Sequence, residues 1–218
     1  MADFGVLFDL DGLLVDSERV QQLSFNKVLA DHGVHLDDEA FSRLVGISTR
    51  RNFIALKEQI GFAESVDSIV ERKNKAYLEL VPHEMRPMPG ALALVQSLKT
   101  LSIPMAVASS SFRVDVVAPL RAVGLLEYFP RIVAGDEVEH TKPAPDLYLA
   151  AAKQVGVHAS SCVALEDTQS GLRSAIAAGV PCLVVPNRYT RNHDFAGNSA
   201  QVSSLEEVTP EFLRGLLM

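Results

Sequence analysis

The sequence predicts an α/β fold: a parallel sheet covered by helices on both faces, with an all-helical domain inserted after the first strand. Three observations carry this expectation. From Gly90 onward, short and nearly continuous apolar runs alternate with helical patterns, as strands buried on both faces of a parallel sheet do. One more such run, Val6-Leu7-Phe8, stands close to the N-terminus. Between the two, from about Ser17 to Val81, the pattern is helical and carries no strand signal, so this block cannot belong to the sheet. The expected division is a sheet domain of residues 1–16 with 83–218 and a helical cap of residues 17–82. Hinges are expected near Val15 to Ser17 and Pro82 to Pro89.

The first strand stops at Asp9, and Gly12 frees the backbone to turn away after Asp11. Ser17 to about His32 reads as a helix with Val20, Leu23, Val28 and Leu29 on one side. Asp37 can cap a second helix, Asp38 to Leu44. Ser48 can cap a third, running to about Ile60 before Gly61. A fourth starts at Ser65 or Asp67 and is expected to stop before Pro82. Ala91 to Leu101 is then a helix, Met105 to Ala108 a strand that meets Ser109-Ser110-Ser111, and Val114 to Val123 a helix that Pro119 should shorten or kink. A strand from Arg131 to Ala134 ends at Gly135. The next helix has Pro145 at its first position and Asp146 at its positive end, and Gly156 closes it after Val155. Cys162 to Leu165 is a strand that stops at Glu166-Asp167. A small-residue helix, Ser170 to Ala178, leads to the strand Cys182 to Val185. A short strand near Ala200 to Val202 and a helix after Thr209 complete the chain.

Composition bounds the function classes. The chain has 218 residues, 48% apolar and 22% charged, which is ordinary for a globular protein with a sizeable core. A net charge of −7 and the absence of a long Lys/Arg run disfavour a nucleic-acid partner. No apolar run approaches the ~20 residues of a membrane span. No basic segment followed by an apolar one precedes the first strand, so cytoplasm is the expected compartment. The expected state is a monomer or weak homodimer. Cys162 and Cys182 each begin an apolar segment and read as buried reduced thiols.

In open α/β sheets the site lies outside the carboxyl ends of the strands. The polar residues fall at those ends: Asp9 and Asp11 after the first strand, Ser109 after the second, Lys142 beyond the third, Glu166 and Asp167 after the fourth. Paired acids at a strand mouth suit metal-assisted chemistry, with one acid able to attack and the other able to move a proton. Each residue also has an ordinary alternative. Asp9 and Asp11 can be turn residues, Ser109 a helix cap, Lys142 a solvated surface lysine, and Glu166-Asp167 partners of the next helix's positive end. The ordered set at four strand ends outweighs those alternatives.

The four stretches, D-L-D-G-L, A-S-S-S, T-K-P-A-P-D and L-E-D-T-Q-S-G, together with the helical block after the first, resemble the haloacid dehalogenase superfamily over the whole chain. The likeness is to its β-phosphoglucomutase-like and sugar-phosphate phosphatase branch. It implies a Rossmann-like core with the first strand between the second and the fourth. It also implies Mg²⁺ bound by the side chains of Asp9 and Asp167 and the carbonyl of Asp11, with Glu166 supporting them. Asp9 would become an aspartyl phosphate. Asp11 would protonate the leaving alcohol and then activate water. Lys142 would relieve charge repulsion beside Asp9 and contact phosphate, together with Ser109, Ser110 and the backbone amides that follow. The dehalogenase branch lacks the second acid, so Asp11 argues against dehalogenation.

The cap is where the resemblance places substrate selection. Leu44-Val45-Gly46-Ile47-Ser48 resembles the branch's glycine-containing substrate loop, with Arg43 before it and Arg50 and Arg51 after it. An arginine there can pair with a second anionic group, and an exposed helix-surface arginine is the ordinary alternative. Lys73 and Asn74 match positions that face substrate in the mutase. Gln21 stands where the mutase carries a histidine, and an amide cannot titrate near neutral pH as imidazole does. Arg113 can reach phosphate or merely begin a helix, while His83, His140, His158 and His193 have no matching role. The expected function is a Mg²⁺-dependent phosphatase acting on a small phosphate ester. A phosphomutase with the same core is the first rival, and a non-catalytic binder of phosphorylated metabolites is the second.

Overall fold

Residues 4–45 and 47–217 are described by the structure, a computed structural model. Its contacts divide the chain into two units, Met1–Asp16 with Arg86–Met218, and Ser17–Met85. The first strand, β1 (Gly5–Phe8), is wholly buried. Four helices follow in the second unit: α1 (Ser17–Leu29), α2 (Asp38–Ser42), α3 (Thr49–Ile60) and α4 (Val66–Glu84). The chain then returns through α5 (Ala91–Thr100), β2 (Met105–Ala108), α6 (Arg113–Ala122), β3 (Ile132–Val133), α7 (Asp146–Val155), β4 (Cys162–Glu166), α8 (Gln169–Ala177), β5 (Cys182–Val184), β6 (Ala200–Gln201) and α9 (Pro210–Gly215). The strands form one sheet in the order β3-β2-β1-β4-β5-β6, and every neighbouring pair is parallel. β1 therefore lies between β2 and β4, as the resemblance implies.

In the sheet unit the apolar strands are buried on both faces. Leu7, Ala106, Ala164 and Cys182 pack with Tyr148, Ala151, Leu172 and Ala175 of α7 and α8. On the other side of the strand alternation, Phe8 meets Phe129 edge-on, with ring centroids 5.5 Å apart. Both cysteines are free and buried, and burial pushes their thiols above the ordinary range. The two passages of the chain that flank the helical unit run side by side, Asp16 N–H donating to Arg86 O at 2.9 Å and Met88 N–H to Leu14 O at 3.0 Å.

The helical unit is built around α4, which packs on α1 and α3. Phe25 stacks on Phe53 at 4.8 Å and meets Phe41 at 6.0 Å, and Val28, Leu29, Ile69 and Val81 complete a buried seam. The caps fall where the sequence places them: Asp37 accepts from Ala40 N at 2.8 Å, Ser65 accepts from Ser68 N at 3.2 Å, and Gly61 ends α3 in the left-handed region. Two expectations fail in detail. α1 stops at Leu29 and continues as a 3₁₀ turn to His32. α4 does not stop before Pro82 but runs through it to Glu84, with Met85 N–H still reaching Val81 O. Proline removes only its own N–H donor, and one turn from a helix end that loss is tolerable. Pro119 likewise lies inside α6 without ending it. Among the described residues no helix is long and apolar enough to cross a membrane.

Candidate active site

The parallel order brings the carboxyl ends of β2, β1 and β4 together, and the polar residues that follow them converge. Asp9 directly continues β1, its N–H donating to Leu165 O at 3.0 Å, and its side chain is nearly enclosed. Gly12 then turns the chain at φ +79°, and a Cβ there would lie 2.5 Å from both Asp167 Oδ2 and Asn187 Nδ2. Only glycine meets both demands, which is why the two acids of the first stretch are followed by one. After β2, Ser109 Oγ accepts from Ser111 N at 3.1 Å and folds the loop into a turn, and Ser111 Oγ donates to Asp11 Oδ2 at 2.8 Å. The second acid is thus held by the serine stretch of the neighbouring strand.

Lys142 is the hub of a buried charge cluster. Its ammonium pairs with Asp9 Oδ1 and, at 2.6 Å, with Glu166 Oε1, and its side chain is only 5% exposed. Tyr148 supports the pair from α7, its hydroxyl donating to Glu166 Oε1 at 2.6 Å and its ring lying 5.1 Å from the ammonium. Glu166 Oε2 accepts from Asp167 N, Thr168 N and Thr168 Oγ1 at 3.2 to 3.4 Å. Burial pushes the Asp9 carboxyl above the ordinary carboxylate range against the pull of Lys142, and the negative charges of Glu166 and Asp11 add to the rise. Burial alone would lower Lys142, but Asp9 and Glu166 outweigh it and hold the ammonium above its ordinary range.

The donor set fits a hard divalent cation. Asp9, Glu166 and Asp167 are buried, and one oxygen from each lies within 4.8 Å of the others. With Asp11 the site holds four carboxyls against one ammonium, so it is short of positive charge. Oxygen donors of this kind suit Mg²⁺. A cation there would oppose the upward push that burial gives Asp9. Glu166, with both oxygens already engaged by protein donors, is better placed to hold Lys142 and the start of α8 than to bind the ion directly.

The remaining sequence candidates are more scattered. Ser110 is exposed. Arg113 begins α6, and Glu137 takes its guanidinium through Nε at 2.6 Å and Nη2 at 2.9 Å, with Ile132 O taking a further bond. In the helical unit Arg43 pairs with Glu39 and Arg50 with Asp67, all four exposed. Arg51 and Asn74 are exposed as well. Gly46 lies outside the described residues. Lys73 is buried, donates to Gln21 Oε1, and stands 5.3 Å and 5.2 Å from the rings of Phe25 and Tyr77. A cavity of about 130 Å³ beside it is lined by Gln21, Phe25, Leu44, Thr49 and Asn52 among others. His140 faces Asp146 at 3.5 Å, His158 bonds Ser160 at 2.8 Å and His193 accepts from Gln169 N at 3.3 Å, so none of these three joins the cluster. Tyr148, Asn187 and the bond from Ser111 to Asp11 were not foreseen. The only sequence signal for Tyr148 was its place in the first turn of the helix after Lys142.

Comparison with known proteins gives a consistent picture. The family model described as haloacid dehalogenase-like hydrolase matches residues 6–185. Protein CbbY of Cereibacter sphaeroides is 34% identical over 213 residues, 93% of each chain. Fructose-1-phosphate phosphatase YqaB of Escherichia coli is 33% identical over 183 residues, 83% of this chain and 95% of that one. A crystal structure of a CbbY variant from Rhodobacter sphaeroides in complex with xylulose-(1,5)bisphosphate superposes with a TM-score of 0.81 at 30% identity. It covers 97% of this chain and 99% of the other.

Proposed function

Since the chain belongs to the haloacid dehalogenase-like hydrolases and is a phosphoric monoester hydrolase, we propose that it is a Mg²⁺-dependent phosphatase of phosphorylated sugars, polyols or related acids, working through an aspartyl phosphate at Asp9. The observation that carries this reading is the ion-paired Asp9 at the mouth of the central strand, with Lys142 on one side and the acids of β4 beside it. A second carboxyl, Asp11, is held by Ser111 in the same crevice. The sugar class rests on the names of the similar proteins, one a fructose-1-phosphate phosphatase and one bound to a sugar bisphosphate.

The residues divide the work by their surroundings. Asp9 attacks phosphorus, forming an oxygen–phosphorus bond as the bond to the alcohol oxygen breaks. Asp11 gives its proton to the departing alkoxide, and in the second half it takes a proton from the water that releases inorganic phosphate. Lys142, anchored by Glu166, offsets charge where a carboxylate must approach a dianionic group. The turn after β2, shaped by Ser109, would hold the phosphate oxygens. Asp9, Asp167 and the Asp11 carbonyl would hold Mg²⁺, which when bound neutralises charge on phosphate and carboxylate alike.

The test is turnover of a panel of phosphate monoesters by wild-type protein and Asp9→Asn, each with Mg²⁺ and after chelation. Release of phosphate by the wild type with Mg²⁺ only, and none by Asp9→Asn while it still binds phosphate, is expected. Near-normal rates in Asp9→Asn remove the nucleophile, and full activity of metal-free protein removes the cation.

A further inference from the structure

Asn187 opens the loop after β5, and the strand-end motifs give it no task. Its side chain is fixed by its own turn. Oδ1 accepts from Tyr189 N at 2.8 Å and Thr190 N at 3.3 Å, while the backbone N–H donates to Thr190 Oγ1 at 3.0 Å and the carbonyl accepts from Arg191 N at 3.0 Å. Thr190 itself is 2% exposed. With the amide oxygen turned to its own loop, the nitrogen faces the site, where Nδ2 donates to Asp167 Oδ2 at 2.7 Å and to Gly12 O at 3.2 Å. The orientation is set by the partners. Two N–H donors face the oxygen and two acceptors face the nitrogen, so a flipped amide would lose all four bonds.

We propose that Asn187 is a positioning residue for Mg²⁺: it fixes the rotation of the Asp167 carboxylate and pins the Gly12 turn that follows Asp11. The inference rests on the reading of Asp167 and the Asp11 carbonyl as Mg²⁺ ligands. A neutral amide suits the task, because it satisfies one carboxylate oxygen without cancelling the charge that a cation needs. One donor shared between the end of β4 and the loop after β1 also holds those two segments at a set separation, so both are in place before a cation enters. Groups that orient metal ligands in this way typically contribute 10- to 100-fold in affinity.

The experiment is isothermal titration of Mg²⁺ into the whole protein, as wild type, Asn187→Ala, Asn187→Asp and Thr190→Val, with melting temperatures and kcat measured alongside. Asn187→Ala is expected to bind Mg²⁺ about 10- to 100-fold more weakly and to recover kcat at saturating Mg²⁺. Thr190→Val loosens the turn but keeps the amide, and is expected to melt earlier with a Mg²⁺ constant close to wild type. Equal weakening in Thr190→Val and Asn187→Ala overturns the proposal, because turn stability and not the amide would then set the affinity. Wild-type affinity in Asn187→Ala overturns it as well. Should Asn187→Ala fail to fold, Asn187→Asp replaces the donor with a carboxylate of the same shape, and an unchanged Mg²⁺ constant there has the same consequence. If the wild type binds no Mg²⁺, the functional reading falls together with the inference, whereas failure of the variants alone leaves that reading standing.

Discussion

Two glycines on helices, Gly171 and Gly215, should respond to alanine with opposite signs. Helix propensity treats them alike, since replacing glycine by alanine in a helix gains about 0.5–1 kcal/mol. Their surroundings differ. A Cβ at Gly215, the last residue of α9, meets nothing within 4 Å, whereas one at Gly171 would lie 1.9 Å from Glu166 Cδ and Oε1. Ordinary contact begins near 3.4 Å, so the Glu166 carboxylate or α8 must give way by 3.4 − 1.9 = 1.5 Å. Glu166 is fully buried and bonded to Lys142 and Tyr148 at 2.6 Å each, and neither bond survives such a retreat. Moving the helix costs about 1–3 kcal/mol as overpacking, and stripping a buried charge of its partners costs about 3–5 kcal/mol. Set against the propensity gain, the net loss is about 0–2.5 kcal/mol if the helix gives way and about 2–4.5 kcal/mol if Glu166 does, up to roughly 18 °C in melting temperature for a chain of this size. Calorimetry should show Gly171→Ala melting early with reduced kcat, because Lys142 loses its anchor, and Gly215→Ala melting at or slightly above wild type. A Gly171→Ala protein as stable and as active as wild type would refute the packing of Glu166 against α8.

Two further outcomes concern substrate. Arg43 and Arg50 sit in exposed ion pairs of the kind worth about 0–1 kcal/mol, so Arg43→Ala and Arg50→Ala should leave KM for a sugar phosphate unchanged. Arg51→Ala, on the first turn of α3, should raise it more than for a featureless ester, and steady-state kinetics on the two esters decides. Phosphate release from β-glucose 1-phosphate without a bisphosphate activator, and negligible conversion to glucose 6-phosphate, is expected because Gln21 cannot titrate as histidine does and its amide oxygen already accepts from Lys73. Interconversion by NMR that outpaces phosphate release would make the protein a mutase.

What could be read from the sequence was whatever the chain places at the end of an apolar run. Asp9, Ser109, Glu166 and Asp167 announce themselves because each interrupts a buried strand with a residue that avoids burial, and the parallel order then brings them together. Lys142 lies beyond its strand and was visible only through the residues around it. The end of α4 was misplaced because Pro82 looks the same in sequence whether a helix has one more turn to run or many. The cap candidates were less legible still. Lys73 is one of two lysines on α4, and nothing local distinguishes it, turned toward Gln21 and two aromatic rings, from the exposed Lys75.

The contacts that the sequence does not reveal share a physical role. Tyr148, Ser111 and Asn187 each donate a hydrogen bond to a carboxylate of the site, to Glu166, Asp11 and Asp167 in turn. Buried or half-buried carboxyls need hydrogen-bond donors, and these three donors carry no charge of their own. A lysine in any of those places would compete with a cation; a hydroxyl or amide orients the carboxyl without adding charge. Those donors come from α7, from the loop after β2 and from the loop after β5, at distances of 18, 100 and 20 residues from their partners. No periodicity links positions so spaced. Acids are conspicuous in an apolar sequence, whereas the neutral groups that aim them are ordinary residues until the fold puts them side by side.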